Sequence, residues 1–420
     1  MKLPRRLAAL ALLPALLGNA QGADRLAWSA SPPGGRSPSS VPQFVAITFD
    51  DNFGLEDEGA TGGVRAVLDY YGRHRNPPGE GNPDNFDASP LRTTLFDTTI
   101  YMAPPQTRVP GGARGEDTTG GNLAAWRAAV AAGEEIDDHT VHHFDGGVVP
   151  VGIGPCCRAR HWTVAQWTAE IGAARAMLVA PGTGIGVAAS AITGFRAPYL
   201  AYTDTMFTAL QRLGFAYDSS LLTCVAAEGG CGWPYTLDAG SPDAVTLAQR
   251  FTRPRGRAPR RFPVVSPHPG LWEVPPSMLV VPPDAAAARY GFVAGLRARV
   301  AARAPMPYPS LYDPGSGQIA GLDYTLLIDA GVSGDELRAI LEYSLDQHLA
   351  GNRAPLVLVA HSHLYAVSSR DENPDTPSEA VRQARWRGLT DFLDYALGQA
   401  AIRVVSTGQI VDWMRRSAAR

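Results

Sequence analysis

The 420-residue sequence lacks an excess of charge of one sign, because 37 basic and 40 acidic side chains leave a formal net charge of −3. Surfaces that bind nucleic acid carry clustered positive charge, so this balance argues against a general nucleic-acid-binding protein. Cysteine is scarce, with four residues and no CxxC spacing, which gives no support to a zinc finger or ribbon. A GxSxG elbow is also missing, so a serine hydrolase is not indicated.

A long apolar run is lacking everywhere except at the amino terminus. There a basic start precedes an apolar stretch from Leu7 to Leu17, and small residues follow it. That order is typical of a cleaved secretory signal peptide, and the stretch is short for a membrane span. We therefore predict a signal peptide over residues 1–23, with export to the periplasm or the exterior and no membrane span in the mature chain.

The remainder divides into a short linker and one large domain. Residues 24–42 contain the run SPPGGRSPSS, whose composition predicts a poorly ordered linker. Residues 43–420 show no internal repeat and no second linker, so we predict a single catalytic domain with long inserted loops. An arginine-rich run from Arg250 to Arg261 is more typical of a solvated loop than of a site for an anionic polymer.

The four cysteines of an exported chain meet an oxidising compartment. Cys224 and Cys231 flank a short glycine-rich loop, and we predict a disulfide between them. Cys156 and Cys157 are adjacent, and a bond between neighbours is strained, so they stay free or pair elsewhere.

Apolar strand patterns alternate with helical ones along the domain, which predicts an α/β fold with a parallel sheet, either open or closed as a barrel. The strand read as FVAITFDD ends in two adjacent carboxylates, Asp50 and Asp51. Because like charges at a buried strand end repel each other and lose hydration, this pair calls for a cation nearby. Taken alone, however, an aspartate pair at a strand end is more typical of a backbone cap.

Two histidines supply the matching signal. His139 and His143 are four residues apart, so on a helical turn they share a face, where two imidazoles and a carboxylate can hold a divalent metal. Other polar residues, Arg196, Asp218 and His361, follow or end predicted strands. Each is ordinary by itself, but the carboxyl ends of parallel strands share one edge, so together they indicate a catalytic rim.

Five segments in this order resemble the motifs of polysaccharide deacetylases, the NodB-homology group or carbohydrate esterase family four. They are ITFDD at 47–51, HTVHH at 139–143, FRAPY at 195–199, YDSS at 217–220 and LVAH at 358–361. The resemblance spans residues 43–415 and implies a distorted (β/α) barrel, often with fewer than eight strands.

The resemblance also implies a role for each matched residue. The expected roles are general base for Asp50, ligands of one divalent ion for Asp51, His139 and His143, partner of the base for Arg196, oxyanion contact through the backbone N–H for Tyr199, general acid for His361, and tuning of that acid for Asp218. Zinc suits two imidazoles and one carboxylate, and cobalt or nickel also fits.

The implied activity is that of a secreted, metal-dependent deacetylase acting on the N-acetyl groups of chitin, chitooligosaccharide or peptidoglycan. An O-acetyl esterase acting on acetylxylan and a non-catalytic carbohydrate-binding protein on the same scaffold are the alternatives. Two positions depart from the family pattern. Asn52 stands where many members have glycine, and YDSS lacks the tryptophan that often follows, a wall that Trp233 could supply.

Overall fold

The structure, a computed structural model, describes residues 25–52, 63–104, 106–108, 110, 112–117, 120–146, 162–224, 230–251, 263–303, 312–365 and 378–418. The predicted signal peptide over residues 1–23 lies outside these ranges. So do the adjacent Cys156 and Cys157 and most of the arginine-rich run that ends at Arg261.

A curled sheet of nine strands forms the body of the domain, and a two-stranded sheet stands beside it. The strands are β1 (Gln43–Asp51), β2 (Thr94–Asp97), β3 (Glu135–Asp138), β4 (Gly194–Phe195), β5 (Tyr217–Asp218), β6 (Tyr235–Thr236), β7 (Trp272–Glu273), β8 (Met278–Val280), β9 (Gln318–Ala320), β10 (Leu356–Ala360) and β11 (Ile402–Val404). The main sheet runs in the order β10-β1-β2-β3-β4-β5-β7-β6, and β11 pairs with the first residues of β1.

Helices cover the sheet and bury its apolar side chains. They are α1 (Gly63–Arg73), α2 (Gly121–Ala132), α3 (Val164–Val179), α4 (Asp204–Leu213), α5 (Pro242–Phe251), α6 (Asp284–Ala287), α7 (Leu296–Arg303), α8 (Gly334–Ala350), α9 (Glu379–Leu397) and α10 (Thr407–Ala418). Capping boxes at Thr163 and Ser333 begin α3 and α8, because each hydroxyl accepts a bond from an otherwise unpaired backbone N–H.

The pairing within the main sheet brings all functional strand ends to one rim. Every pair is parallel except that of β6 with β7. Parallel strands present their carboxyl ends on the same edge, where binding sites of α/β folds lie. The predicted α/β fold is confirmed as a curled half-barrel, since no pairing among the described strands joins β6 to β10.

Residues 25–42, whose composition predicts a poorly ordered linker, contact the domain in the structure. Trp28 donates its indole N–H to Asp243 at 3.3 Å, and the backbone N–H of Trp233 donates to the Ser29 carbonyl at 2.9 Å. The segment therefore packs on the domain, because its tryptophan and its backbone find partners around β6 and α5. The composition rich in proline, glycine and serine concealed these contacts.

Two other expectations concern the disulfide and membrane-spanning helices. The predicted disulfide between Cys224 and Cys231 is confirmed, with the two Cα atoms 4.2 Å apart. Within the described ranges, no helix has the length and apolar character needed to cross a membrane.

Candidate active site

Asp50 and Arg196 form a buried ion pair at the rim. Arg196 Nη1 donates to Asp50 Oδ1 at 2.7 Å and to the Thr48 hydroxyl at 2.6 Å. Its other guanidinium nitrogens donate to the carbonyl and hydroxyl of Ser219. Because the arginine side chain is fully buried and held on both sides, it fixes one oxygen of Asp50 and leaves the other, Oδ2, facing the histidines.

Asp51 turns away from the strand toward the two motif histidines. Its φ of 68° places it in the left-handed region, and the Thr98 hydroxyl donates to its Oδ1 at 2.7 Å. Nε2 of His143 lies 3.5 Å from this oxygen, and Nε2 of His139 lies 4.0 Å from it. Burial acts to raise the pKa of Asp51. At the acid pH where this carboxyl titrates, however, the neighbouring imidazoles of His143 and His361 are charged, and their attraction outweighs burial and lowers that pKa, so the carboxylate is ionised at neutral pH.

His139 and His143 each direct Nε2 toward Asp51. Nδ1 of His139 lies 2.8 Å from the Arg196 carbonyl oxygen, which only accepts, so Nδ1 carries a proton and Nε2 is the ring nitrogen that faces Asp51. Burial lowers the pKa of His143 to about 4 despite the charge of Asp51, so this imidazole is neutral at neutral pH.

His139 and His143 do not lie on the helical turn that their spacing suggested. Both lie in a loop after β3, with a φ of 74° at Thr140 and 54° at His143. The carboxylate of Asp138 accepts from the Thr140 N–H, and the Thr140 hydroxyl accepts from the His143 N–H. These side-chain bonds stabilise a tight loop that brings the rings to 5.1 Å from each other.

The side chains of Asp51, His139 and His143 fit a divalent metal ion. One donor atom from each lies within 4.8 Å of the others. Two ligands on a tetrahedral ion with bonds of about 2.1 Å stand about 3.4 Å apart, close to the separations found here. Two imidazole nitrogens and one carboxylate are also the donor set of catalytic zinc sites, and three protein ligands leave room for water and substrate.

His361 follows β10, and its imidazole faces Asp51 across the candidate metal site. Nε2 of His361 lies 3.9 Å from Oδ2 of Asp51, while its Nδ1 and its backbone N–H contact the two carboxylate oxygens of Asp323 at 2.7 and 2.6 Å. Burial acts to lower the pKa of His361, but the charges of Asp323, Asp51 and Asp50 raise it to about 9. The imidazole is thus an acid that keeps its proton at neutral pH.

The resemblance implied that Asp218 contacts His361, but the carboxylate that bonds His361 in the described part of the chain is that of Asp323. The carboxylate of Asp218 accepts from the backbone N–H and the hydroxyl of Ser220, both at 2.9 Å. Burial together with the neighbouring Asp218 raises the pKa of Glu273 well above its usual range, and burial raises the pKa of Asp218 to about 6. The residue stabilises the turn after β5, and the carboxylate that contacts His361 comes from a different part of the chain.

A cavity of about 300 Å³ joins these groups. Its lining consists of Asp50, Asp51, Tyr101, His139, His143, Tyr199, Leu200, Leu322, Tyr324 and His361. Tyr199 has a φ of 58°, and its ring packs against His143 with centroids 4.5 Å apart. Of the eight sequence-predicted site residues, six line the cavity directly, Arg196 lies behind Asp50, and Asp218 lies away from the cavity.

The two departures from the family pattern have separate explanations. Asn52 has a φ of 53°, a conformation that glycine adopts freely and asparagine tolerates best among the others. Its side-chain amide donates to the Phe49 carbonyl and to Asp97, both at 2.8 Å. Trp233 does not supply a cavity wall, because it is buried in a separate cluster and stacks on Trp413 at 5.8 Å.

Sequence reasoning missed Asp323, Thr98, Tyr101 and Tyr324. Thr98 follows β2, so the same strand-end pattern that singled out Asp50 could have pointed to it. Asp323 ends no regular strand. It is placed by an isolated bridge between Leu322 and Val359, a contact between distant parts of the chain that leaves no local pattern.

Comparison with known proteins gives a structural likeness only. No family model and no curated protein sequence matches the chain. Among solved structures, a Mycobacterium smegmatis protein described as a polysaccharide deacetylase is 15% identical, with a TM-score of 0.44 over 93% of this chain and 96% of that one. A Pseudomonas aeruginosa protein described in the same way has 15% identity and a TM-score of 0.44 over 92% and 96%.

A third solved structure, described as Puue allantoinase, is also 15% identical, with a TM-score of 0.44 over 92% of this chain and 95% of that one. The first two descriptions name the family whose motifs the sequence resembles. At these identities and TM-scores the likeness shows neither the family nor the activity of this chain.

Proposed function

We propose that the protein is a metal-dependent deacetylase that hydrolyses N-acetyl groups of a polysaccharide or oligosaccharide containing N-acetylglucosamine. One observation carries the proposal. A three-ligand metal cluster, an arginine-held carboxylate and an aspartate-held imidazolium face a single cavity of about 300 Å³. Amide hydrolysis needs these three functions together, namely activation of the carbonyl, a base for water and an acid for the amine.

Asp50 is the general base in this scheme. When bound, a divalent ion supplies Lewis acidity that polarises the acetyl carbonyl and makes water a better proton donor. The Arg196 guanidinium binds one carboxylate oxygen of Asp50, and the other oxygen lies 3.8 Å from Nε2 of His139, beside the ligand cluster. That oxygen is placed to accept a proton from the attacking water.

His361 is the general acid. An amine leaves slowly unless it is protonated as the carbon–nitrogen bond breaks, so amide hydrolysis requires a proton donor close to the nitrogen. Nδ1 of His361 is bound to Asp323, which leaves the Nε2 proton directed toward the cavity. Asp50 takes one proton from the attacking water and His361 delivers one to the amine, so the products are the free amine and acetic acid, which ionises to acetate in solution. Exchange of one proton with solvent at each residue returns Asp50 and His361 to their starting states.

Tyr199 is assigned to the developing oxyanion. Its left-handed backbone follows Pro198 and turns the chain at the edge of the cavity. A backbone N–H aimed at developing negative charge stabilises a tetrahedral intermediate without reorganisation. This assignment follows from the FRAPY resemblance and from the position of Tyr199 on the cavity wall.

The scheme extends to cellular location and metal. The apolar amino-terminal stretch and the Cys224–Cys231 disulfide support export. Two imidazoles and a carboxylate support zinc, with cobalt and nickel as other ions of suitable ligand preference.

The test is acetate release from chitooligosaccharides, peptidoglycan and acetylxylan, before and after chelation and with Zn²⁺, Co²⁺ or Ni²⁺ restored. We expect release from N-acetylated substrates, loss on chelation and recovery with one of the ions. Release from acetylxylan alone would make the protein an O-acetyl esterase. Binding to these carbohydrates without any release would identify a non-catalytic binding protein.

A further inference from the structure

Tyrosine rings surround the candidate site, and two of them pack edge-on against its histidines. Tyr199 contacts His143 with centroids 4.5 Å apart, and Tyr324 contacts His361 with centroids 4.6 Å apart at an interplanar angle of 87°. Tyr101 completes the aromatic lining. No lysine or arginine is among the described residues that line the cavity, so apart from the reacting groups its walls are suited to an uncharged ligand.

Tyr324 holds a defined position in this wall. It follows Asp323 directly and begins a π-helix, Tyr324–Asp329, a geometry that often occurs at functional sites. Asp323 thus contacts His361 at Nδ1 while the next residue packs against the same imidazole ring. The loop after β9 therefore supplies both a partner for the acid and a wall for the substrate.

The hydroxyl of Tyr324 is fixed by a second histidine. Its Oη lies 3.1 Å from Nε2 of His363, which is two residues beyond His361 on the turn after β10. Tyr324 and His363 are both half-buried, so the pair stands at the boundary between the cavity and solvent. A phenol oxygen has one donor and two acceptor sites, and the bond to His363 orients it.

We propose that Tyr324, oriented by His363, is a specificity-determining residue that hydrogen-bonds a hydroxyl of the uncharged sugar ring carrying the acetyl group. The inference rests on the proposed deacetylase function and names the part of the substrate that the wall recognises. A phenol that contacts both the acid and a sugar hydroxyl couples recognition of the ring to the position of the leaving nitrogen. An acetyl compound without that hydroxyl lacks this contact.

The test compares Tyr324→Phe with the wild-type protein on a chitooligosaccharide and on an aryl acetate, which has no sugar hydroxyl. The substitution keeps the ring against His361 and removes only Oη. One neutral hydrogen bond contributes about 0.5–1.5 kcal/mol, which corresponds to roughly a 3–10-fold change. We expect the ratio of kcat/KM for the oligosaccharide to kcat/KM for the aryl acetate to fall by about this factor.

Two further variants separate recognition from packing. Tyr290→Phe removes a phenol oxygen that bonds Asp346 away from the cavity, and we expect it to leave the ratio at the wild-type value. His363→Leu removes the group that orients Oη, and we expect it to lower the ratio in the same direction as Tyr324→Phe. An unchanged ratio in Tyr324→Phe, or an equal fall on both substrates, would overturn the inference.

Failure of the proposed function gives a different result. If the wild-type protein releases no acetate from any carbohydrate, the deacetylase proposal fails, whereas a working wild type with an unchanged Tyr324→Phe ratio removes only the inference. Calorimetric titration with the chitooligosaccharide provides a readout that does not depend on turnover. We expect Tyr324→Phe to weaken binding by about 3–10-fold, and equal affinity would overturn the role of its hydroxyl.

Discussion

Replacing Asp323 by asparagine tests the part of the site that the structure alone revealed. The carboxylate accepts two hydrogen bonds from His361, one from Nδ1 and one from the backbone N–H. Asparagine keeps one acceptor oxygen and carries no charge, so it favours the imidazolium much less. We therefore expect the pKa of His361 to fall from about 9 toward or below its ordinary value of 6.5.

The expected loss of protonated His361 in Asp323→Asn is large at high pH and small at low pH. A histidine with a pKa of about 9 is roughly nine-tenths protonated at pH 8, whereas one of 6.5 is roughly 3% protonated, about a 30-fold difference. At pH 6 the same comparison gives a difference of less than about twofold. A bound cation lowers both pKa values together, so the comparison between the two proteins keeps its sign.

The assay is kcat/KM between pH 6 and 8.5 on a chitooligosaccharide and on an aryl acetate, whose leaving group needs no proton. Asp323→Asn should lose activity on the amide increasingly as the pH rises, and should lose less on the ester. Asp218→Asn is the matched control, because the family resemblance implied this role for Asp218, and we expect its ratio of amide to ester activity to match the wild type. Equal losses by Asp323→Asn at every pH and on both substrates would refute the pairing of Asp323 with the acid.

Three further predictions concern the scaffold. Asn52→Gly should bind metal nearly as well as the wild type, whereas Asn52→Val should bind it at least 10-fold more weakly. A β-branched residue at a φ of 53° costs about 1–3 kcal/mol and displaces the neighbouring Asp51. Isothermal titration with Zn²⁺ measures the affinity of both variants. Burial raises the pKa of Asp243 to about 7, so the folded state holds its proton more tightly than the unfolded state. The free energy of unfolding of the wild type should therefore fall as pH rises from about 4 to 7. Urea denaturation should show a smaller fall over this pH range for Asp243→Asn, and an equal fall in both proteins would contradict the prediction. Replacing Cys224 and Cys231 together by serine should lower the free energy of unfolding by about 2–3 kcal/mol, because the bond closes a loop of separation 7, and a change under about 0.5 kcal/mol would contradict it.

The rim could be predicted from the sequence because its signals are local. An uninterrupted apolar run such as FVAITF predicts a buried strand, and the whole of β1 is buried. Once strands alternate with helices, parallel pairing places Asp50, Asp51 and His361 on one edge. The order of polar residues along the chain was therefore enough to assemble most of the candidate site.

The rest depends on backbone conformations and distant contacts that no local pattern records. His139 and His143 do come together, but left-handed residues in a loop bring them there instead of a helical turn. Asp323 reaches His361 only because the chain after β9 lies beside β10. The amino-terminal segment around Trp28 showed a linker composition, although its backbone and indole find partners on the domain.

The most direct test of the account is the metal content of purified Asp50→Asn and Asp51→Asn compared with the wild type, measured by elemental mass spectrometry after dialysis. Asp50 is assigned as a base and Asp51 as the only charged ligand, so replacement by a neutral amide should leave the metal content unchanged at Asp50 and lower it at Asp51. We expect about one divalent ion per chain in the wild type and in Asp50→Asn, and a clear loss in Asp51→Asn that excess metal partly restores. A wild type without metal, or an Asp51→Asn variant that retains it while Asp50→Asn loses it, would contradict the assignment of the site.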